Sequence, residues 1–408
     1  MSEMESVQAP AVRGSASEVL MAFLRLGCIS FGGPIAHLGY FRGEFVERRK
    51  WCEEETFAEI VAVAQSLPGP ASSQVAFALG WLRANWAGGL AAWAGFTAPS
   101  ALIMLAFALG HQFLTGKLGL GVQHGLQLVA VAVVAQAILA MRRSLAPDWR
   151  RMALALIAAG IAFFMPTRFA TLLAIGSGAL LGWVFLRSRR ALAARPLPIA
   201  ISKRQGALAA TFFLVLLLLL PSVARVSGAR PLAVFSAFYR TGALVFGGGH
   251  VVLPLLENTV VARGWVDQQT FLSGYGAAQA IPGPLFTFAA YLGAVIRPNS
   301  NPPLTGVIAL VAIFLPGLLL VVAVLPFWNS MRERRQVQAS LRGVNAAVVG
   351  VLISAFIRPV WTSAVHSRFD FLVALCAFGL LTFWKLPPWM VVLGCALVSG
   401  LGALLAWR

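Results

Sequence analysis

The sequence predicts an all-α polytopic membrane protein made of two inverted-topology repeats, with broken or re-entrant helices and about 13 membrane segments. Three observations predict it. The 408 residues are 59% hydrophobic and only 11% charged, whereas a soluble domain carries about 25% charge. Apolar runs near the ~20 residues that a span needs follow one another along the chain. A motif of the first half, Gln65-Ser66-Leu67-Pro68-Gly69-Pro70, returns in the second as Gln279-Ala280-Ile281-Pro282-Gly283-Pro284.

Residues 1–17 are polar and read as a tail, not a cleaved signal peptide. The runs of the first repeat, 18–187, fall at 18–40, 57–82, 86–110, 119–141, 152–166 and 168–187. A basic linker and a linking helix, with its apolar run at 206–223, fill 188–231. The second repeat, 232–408, has runs at 232–255, 270–297, 304–328, 341–360, 369–386 and 387–407. Pro166 and Pro387-Pro388 split 152–187 and 369–407, which suits tight hairpins of shorter helices.

The two copies keep register. Phe23, Arg25, Gly27, Phe31, Gly32 and Gly33 recur 215 residues later as Phe238, Arg240, Gly242, Phe246, Gly247 and Gly248. Arg49, Trp51 and Gln65 recur 214 later as Arg263, Trp265 and Gln279. An even number of segments followed by one linking segment inverts the second copy. The distribution of cations agrees with that orientation, because Lys and Arg favour cytoplasmic loops. Arg142, Arg143, Arg150 and Arg151 fall on the same side as linker residues Arg187, Arg189, Arg190 and Arg195. One loop disagrees: 41–56 carries Arg42, Arg48, Arg49 and Lys50, yet simple counting puts it outside. Re-entrant hairpins at both 18–40 and 57–82 would return it to the inside and leave every later position unchanged. The net charge of +18 is thereby accounted for by loops, not by nucleic acid. Cys28, Cys52, Cys376 and Cys395 stand singly, so neither a metal site nor a disulfide framework is expected.

Pro68-Gly69-Pro70 and Pro282-Gly283-Pro284 must interrupt helices, since proline removes a donor and clashes with the preceding turn. In hydrocarbon such breaks persist only where protein buries them or a cavity is lined by them. Paired breaks in two halves point to a transporter's binding site. Candidate binding residues are therefore Gln65 and Gln279 with these breaks, and the Gly32, Gly33, Gly247 and Gly248 backbone. Ser72, Ser73, Gln74 and Thr287 lie just beyond the breaks, and Gln127 and Asn345 are matched residues read as packing. Arg25 and Arg240 hold equivalent places in apolar runs. Their forked donors suit a tetrahedral dianion; snorkelling to the headgroups would explain a single arginine such as Arg25, but the match between the copies favours a binding role for both. Candidates for proton coupling are His37, Glu44, Glu59, His250 and Glu257. Trp51 and Trp265 read as interfacial anchors. No phosphate loop, zincin or nucleophile-elbow motif is present, so neither ATP hydrolysis nor an enzyme is expected.

Phe31-Gly32-Gly33-Pro34 with Ala36-His37, Arg48-Arg49-Lys50-Trp51, and Gln65 with Pro68-Gly69-Pro70 together resemble the chromate ion transporter family. Phe246-Gly247-Gly248-Gly249, Leu253-Pro254-Leu255-Leu256-Glu257, Gly264-Trp265 and Pro282-Gly283-Pro284 resemble the second domain of its long members. The resemblance implies secondary export of chromate from the cytoplasm across the bacterial inner membrane, driven by the proton motive force, with chromate resistance as the outcome. It also implies two domains of opposite orientation. Sulfate is isosteric with chromate and remains the alternative cargo. The expected partners are the oxyanion and the lipid bilayer, with a homodimer as the assembly considered and with no cofactor.

Overall fold

The computed structural model describes residues 14–110, 113–114, 116–165, 169–186, 199, 201–247, 249–297 and 301–405. Gly248, Pro166 and linker residues Arg187, Arg189, Arg190 and Arg195 lie outside the described residues, as does the side chain of His250. Among the described residues every regular element is helical. The first half comprises α1 (Ala16–Ile29), α2 (Gly33–Arg42), α3 (Glu54–Ser66), α4 (Ala71–Gly110), α5 (Gly116–Leu145), α6 (Trp149–Phe164) and α7 (Ala170–Phe185). α8 (Lys203–Ser227) links it to the second half. There follow α9 (Arg230–Leu244), α10 (Val252–Val260), α11 (Gln268–Ala278), α12 (Phe288–Val295), α13 (Pro302–Val324), α14 (Trp328–Glu333) and α15 (Arg335–Ala355). The chain closes with α16 (Thr362–Ala364), α17 (Arg368–Thr382) and α18 (Pro388–Leu405).

Helix starts are set by local side-chain chemistry. Ser15 caps α1 by accepting from the Glu18 N–H, and Asp148, Asp267 and Asn301 do the same for α6, α11 and α13. Ser202 with Gln205, and Ser367 with Asp370, form full capping boxes at α8 and α17. Six helices among the described residues are long and apolar enough to cross a membrane. They are α4, α5, α8 and α18, together with α13 and α15 extended by the turns that follow them. The expected shorter pairs are present, with 16 residues in each of α6 and α7 and 15 in α17. α8 packs on α9 and α13 and leaves Leu208, Leu218 and Leu219 exposed, as a linking helix facing lipid would.

Both runs before the bend of α4 are hairpins that come back to the end where they began. Four residues from their four ends prove it. Arg83 pairs with Glu18 at 3.2 Å and sits 5.5 Å from the Trp51 ring centroid, and Arg49 lies 5.7 Å from the same ring. The start of α1, the segment after α2, the start of α3 and the first limb's end in α4 therefore meet at one place. The second half repeats the arrangement. Arg230 and Arg263 lie 4.5 and 5.0 Å from the Trp265 ring, and the Arg297 N–H donates to the Trp265 carbonyl at 3.0 Å. Trp51, expected as an interfacial anchor, is only 6% exposed and is the packing centre of these ends. α4 then turns sharply at Ala84 and Asn85, where the backbone leaves helical values. The bend falls between the two expected runs.

The outer helices interlock across the halves. α18 packs on α5, and its counterpart α7 packs on α15. Contact is backbone to backbone: a Cβ on Gly125 would stand 2.4 Å from the Cys395 carbonyl, and one on Gly343 would stand 2.0 Å from that of Gly178. Small residues allow this approach, and van der Waals packing then replaces the hydrophobic drive that lipid removes. Gly343→Val should therefore destabilise the detergent-solubilised protein by more than about 1 kcal/mol. Gly394→Ala, at a helical site with nothing within 4 Å, should leave the melting temperature unchanged or raise it. Equal melting of the two variants would contradict the contact.

Candidate functional site

The tips of the hairpins are the two Pro-Gly-Pro breaks, and they are joined crosswise. The Gly69 N–H donates to the Val245 carbonyl at 2.7 Å, and the Gly283 N–H donates to the Ser30 carbonyl at 2.9 Å. Ser30 and Val245 are equivalent residues, each ending the helix before a Phe-Gly-Gly segment. Each break thus satisfies a carbonyl of the other half's broken helix, which answers the demand for backbone partners in a water-free place. Only glycine can do this. Gly69 has φ +122° and Gly283 has φ +92°, and a Cβ would meet Gly317 Cα at 3.0 Å and Ser100 Oγ at 2.7 Å respectively. Gly317 and Ser100 are themselves equivalent, so the steric reason is also reciprocal. Gln74 Nε2 fixes the first tip by donating to the Pro68 carbonyl at 2.9 Å and the Gly317 carbonyl at 3.1 Å.

A cavity of about 480 Å³ lies beside the first tip. Its floor is backbone: Gly32 and Pro34 at the start of α2, Gly69 and Ala71 at the start of α4, and Gly247 and Gly249 from the second half. Helix starts present unpaired N–H groups and partial positive charge, the features that bind anions. α2 has no side chain capping its first N–H groups, and Gly32 at its N-cap has φ +100°. Gln65, Ser72, Gln136, Ser144 and Asn345 supply neutral hydrogen-bonding groups around the wall. Among the described residues no charged side chain lines it.

The structure brings Gln65, Gly32, Gly69 and Gly247 together in this cavity. Gly33, at φ +77°, stands next to Gly32 at the start of α2, and Pro68 and Pro70 flank Gly69. Gln279 and Pro282-Gly283-Pro284 form the second tip, and Gly283 holds Ser30, but none of these lines the cavity. Nor do Arg25 and Arg240. Arg25 is exposed on α1 and borders a separate open cleft with Tyr40 and Glu44, while Arg240 is half-buried on α9. The run containing Arg25 is apolar, but the residue falls on the outer face of its hairpin.

The remaining titratable candidates are dispersed. His37 is 1% exposed, and its Nε2 lies 3.2 Å from the Ser30 carbonyl. A carbonyl only accepts, so Nε2 carries the proton, and His37 and Gly283 hold the same oxygen. Glu44 pairs with Arg48 and, at 2.6 Å, with Arg49. Glu59 accepts from Trp328 Nε1 at 3.4 Å, and Glu257 is half-buried on α10. Gln127 packs as expected, its Nε2 donating to Ser273 Oγ at 3.3 Å, whereas its partner Asn345 lines the cavity. Gln136 and Ser144 went unnoticed in the sequence because their helix is long and mostly apolar.

Long apolar helices and returning broken hairpins define a multi-pass membrane protein, with a polar cavity where the hairpin tips cross. A family model described as chromate transporter matches residues 17–183 and again 232–400, and the chain belongs to that family. The probable chromate transport protein of Synechococcus elongatus is 27% identical over 394 residues, which is 95% of each chain. The chromate transport protein of Cupriavidus metallidurans is 28% identical over 392 residues, 94% of this chain and 92% of the other. That of Pseudomonas aeruginosa is 28% identical over 343 residues, 82% and 79% of the two chains. No solved structure matches.

Alanine at either tip tests the crossing. Gly69→Ala and Gly283→Ala should each lower stability by about 1–3 kcal/mol, the usual cost of a disallowed backbone conformation. Thermal unfolding in detergent reads this, and wild-type melting in both variants would mean that the tips are not held as described.

Proposed function

We propose that the chain exports chromate from the cytoplasm across the bacterial inner membrane, driven by the proton motive force, and so confers chromate resistance. The cavity between hairpin tips carries the reading: helix starts and neutral donors converge there, with no cation among the described residues. A dianion leaving water needs its hydration shell replaced. Many oriented N–H and O–H dipoles can do this while binding weakly enough to release, as a transport cycle requires. The paired arginines are assigned no direct contact with the anion in this reading. Sulfate is the alternative cargo, since such donors recognise any tetrahedral dianion.

The proposed topology follows from the hairpins. They return without crossing, so the crossings are the second limb of α4, α5, α6, α7, α8, α13, α15, α17 and α18. Four crossings precede the single linking helix α8, so the second half is inverted. Loop 41–56 with its cations is then cytoplasmic, as is the end of α5 that carries Ser144. The cavity lies toward the cytoplasm, where chromate would load.

Impermeant thiol reagent applied outside should label single cysteines in 358–368 and spare those in 142–151 and 187–205. The reverse pattern would overturn the orientation. In proteoliposomes, Ser72→Ala and Asn345→Ala should each raise the chromate concentration for half-maximal flux severalfold, by analogy with the ~1 kcal/mol of a typical hydrogen bond. Arg25→Gln and Arg240→Gln should retain most flux per molecule in the membrane. Loss of flux in the arginine variants alone would move the anion out of this cavity. Sulfate that is carried while chromate only inhibits would select the alternative cargo.

A further inference from the structure

A second polar cluster lies outside everything assigned above. His124 on α5 and Asp370 at the start of α17 meet with Nε2 2.8 Å from Oδ1. Asp370 is 6% exposed, and its Oδ2 accepts the backbone N–H groups of His366 and Ser367 at 3.0 and 2.9 Å. The His366 ring stacks on that of His124, with centroids 6.2 Å apart and planes at 17°. A cavity of about 640 Å³ reaches the pair from the outer end of the bundle. Lys117, from the first turn of α5, lines it with His124 and Asp370. α18 contributes Ser399, Gly402 and Ala403 to the same wall. Arg368, next to the pair in sequence, is exposed. Of the other elements packed on α5, α11, α16 and α18 carry no charged side chain, and α15 carries Arg335 and Arg342 near its start. The turn after α15 carries Arg358, exposed and 5.8 Å from the Phe163 ring centroid.

The pair is also wired to the other cavity. Twelve residues along α5 from His124, about 18 Å at the helical rise, Gln136 Nε2 donates to the Leu381 carbonyl of α17 at 3.0 Å. Gln136 lines the anion cavity, as do Ala137, Ala140 and Ser144 of the same helix. α5 and α17 are therefore bonded at two levels, once through a titratable pair and once at the edge of the anion cavity.

We propose that His124–Asp370 is the proton-binding site of the transport cycle, linked to the anion cavity through the α5–α17 interface. The inference rests on the transport reading above. The carboxylate accepts Nε2–H whether the ring is neutral or charged, so the incoming proton goes to Nδ1. Protonation turns a neutral-to-charged hydrogen bond into an ion pair and tightens α5 against α17 at that end. His124 lines the open cavity, so a proton from water can reach the ring. His366 stacks on the same ring, and its own Nε2 lies 3.1 Å from the Ser363 carbonyl. In the proposed topology the site faces outside while the anion cavity faces the cytoplasm, as exchange of an inward proton for an outward anion needs.

The test separates drive from movement. Wild-type and His124→Gln proteins are compared in proteoliposomes for chromate accumulation under a pH gradient and for chromate exchange without one. We expect the variant to lose gradient-driven accumulation by about tenfold, an ordinary coupling free energy, and to keep exchange within about twofold. Equal loss of both would show a structural role, and loss of neither would remove His124 from coupling; either overturns the proposal. If the wild type moves no chromate in either assay, the transport reading fails, and the proton site is read without anion. The Ala140→Cys variant, in a chain freed of native cysteines, is labelled over a series of pH values from mildly acid to mildly alkaline. Labelling should change with pH and lose that change in the His124→Gln background. A rate independent of pH, or a dependence that survives the variant, overturns the proposal.

Discussion

The structure depends on a constraint that the bilayer imposes: a broken helix must find partners for the backbone groups it frees. Here the partners are exchanged between halves. Gly69 bonds the carbonyl of Val245, and Gly283 bonds that of Ser30. Neither tip could satisfy its counterpart if the other half were absent or displaced. The bonds also fix where the helix starts of α2 and α4 stand, and both starts line the cavity. The break that costs the fold a stretch of helix is thus the same feature that shapes the cavity.

The arginine clusters serve a different end. Arg49 and Arg83 flank Trp51 with Glu18 among them, and Arg230 and Arg263 flank Trp265. Guanidinium over indole is favourable electrostatically and keeps charge at the hairpin ends, away from the tips. Clamping the ends makes each hairpin a stiff unit. The described cations of these clusters thus stand at the hairpin bases, and neutral groups stand at the tips.

Much of this was legible in the sequence. The repeat, the breaks, the linking helix and the disagreement of loop 41–56 were all visible as patterns, and the returning hairpins agree with the re-entrant alternative for that loop. The positions of side chains on the hairpin faces were not. Arg25 lies two residues before Gly27, and Gly27 packs against Gly95 and Phe96, so Arg25 is turned outward. Periodicity in a run that is apolar all round cannot distinguish these faces. His124 and Asp370 were invisible for another reason. They are 246 residues apart and occupy unmatched places in the repeat, so a search for matched residues passes over both.

That last point bears on how two copies of one unit make a directional machine. Perfect repeats would offer the anion equal lodging on both sides. The chain departs from equality at the tips: Ser72 lines the cavity, while its counterpart Phe286 is 1% exposed and packs against Phe314 at 5.8 Å. The polar wall beside the first tip is therefore matched by an aromatic plug beside the second. On the proposed reading, the plugged side is also the side that carries the titratable pair between α5 and α17. A proton that tightens one end of that interface acts on the half where the path is closed, and the anion acts on the half where it is open. Ligands that favour different arrangements of one interface can be coupled through it, and their coupling is reciprocal. On that reading, the repeat supplies the two arrangements, and the departures from the repeat give each one its own ligand.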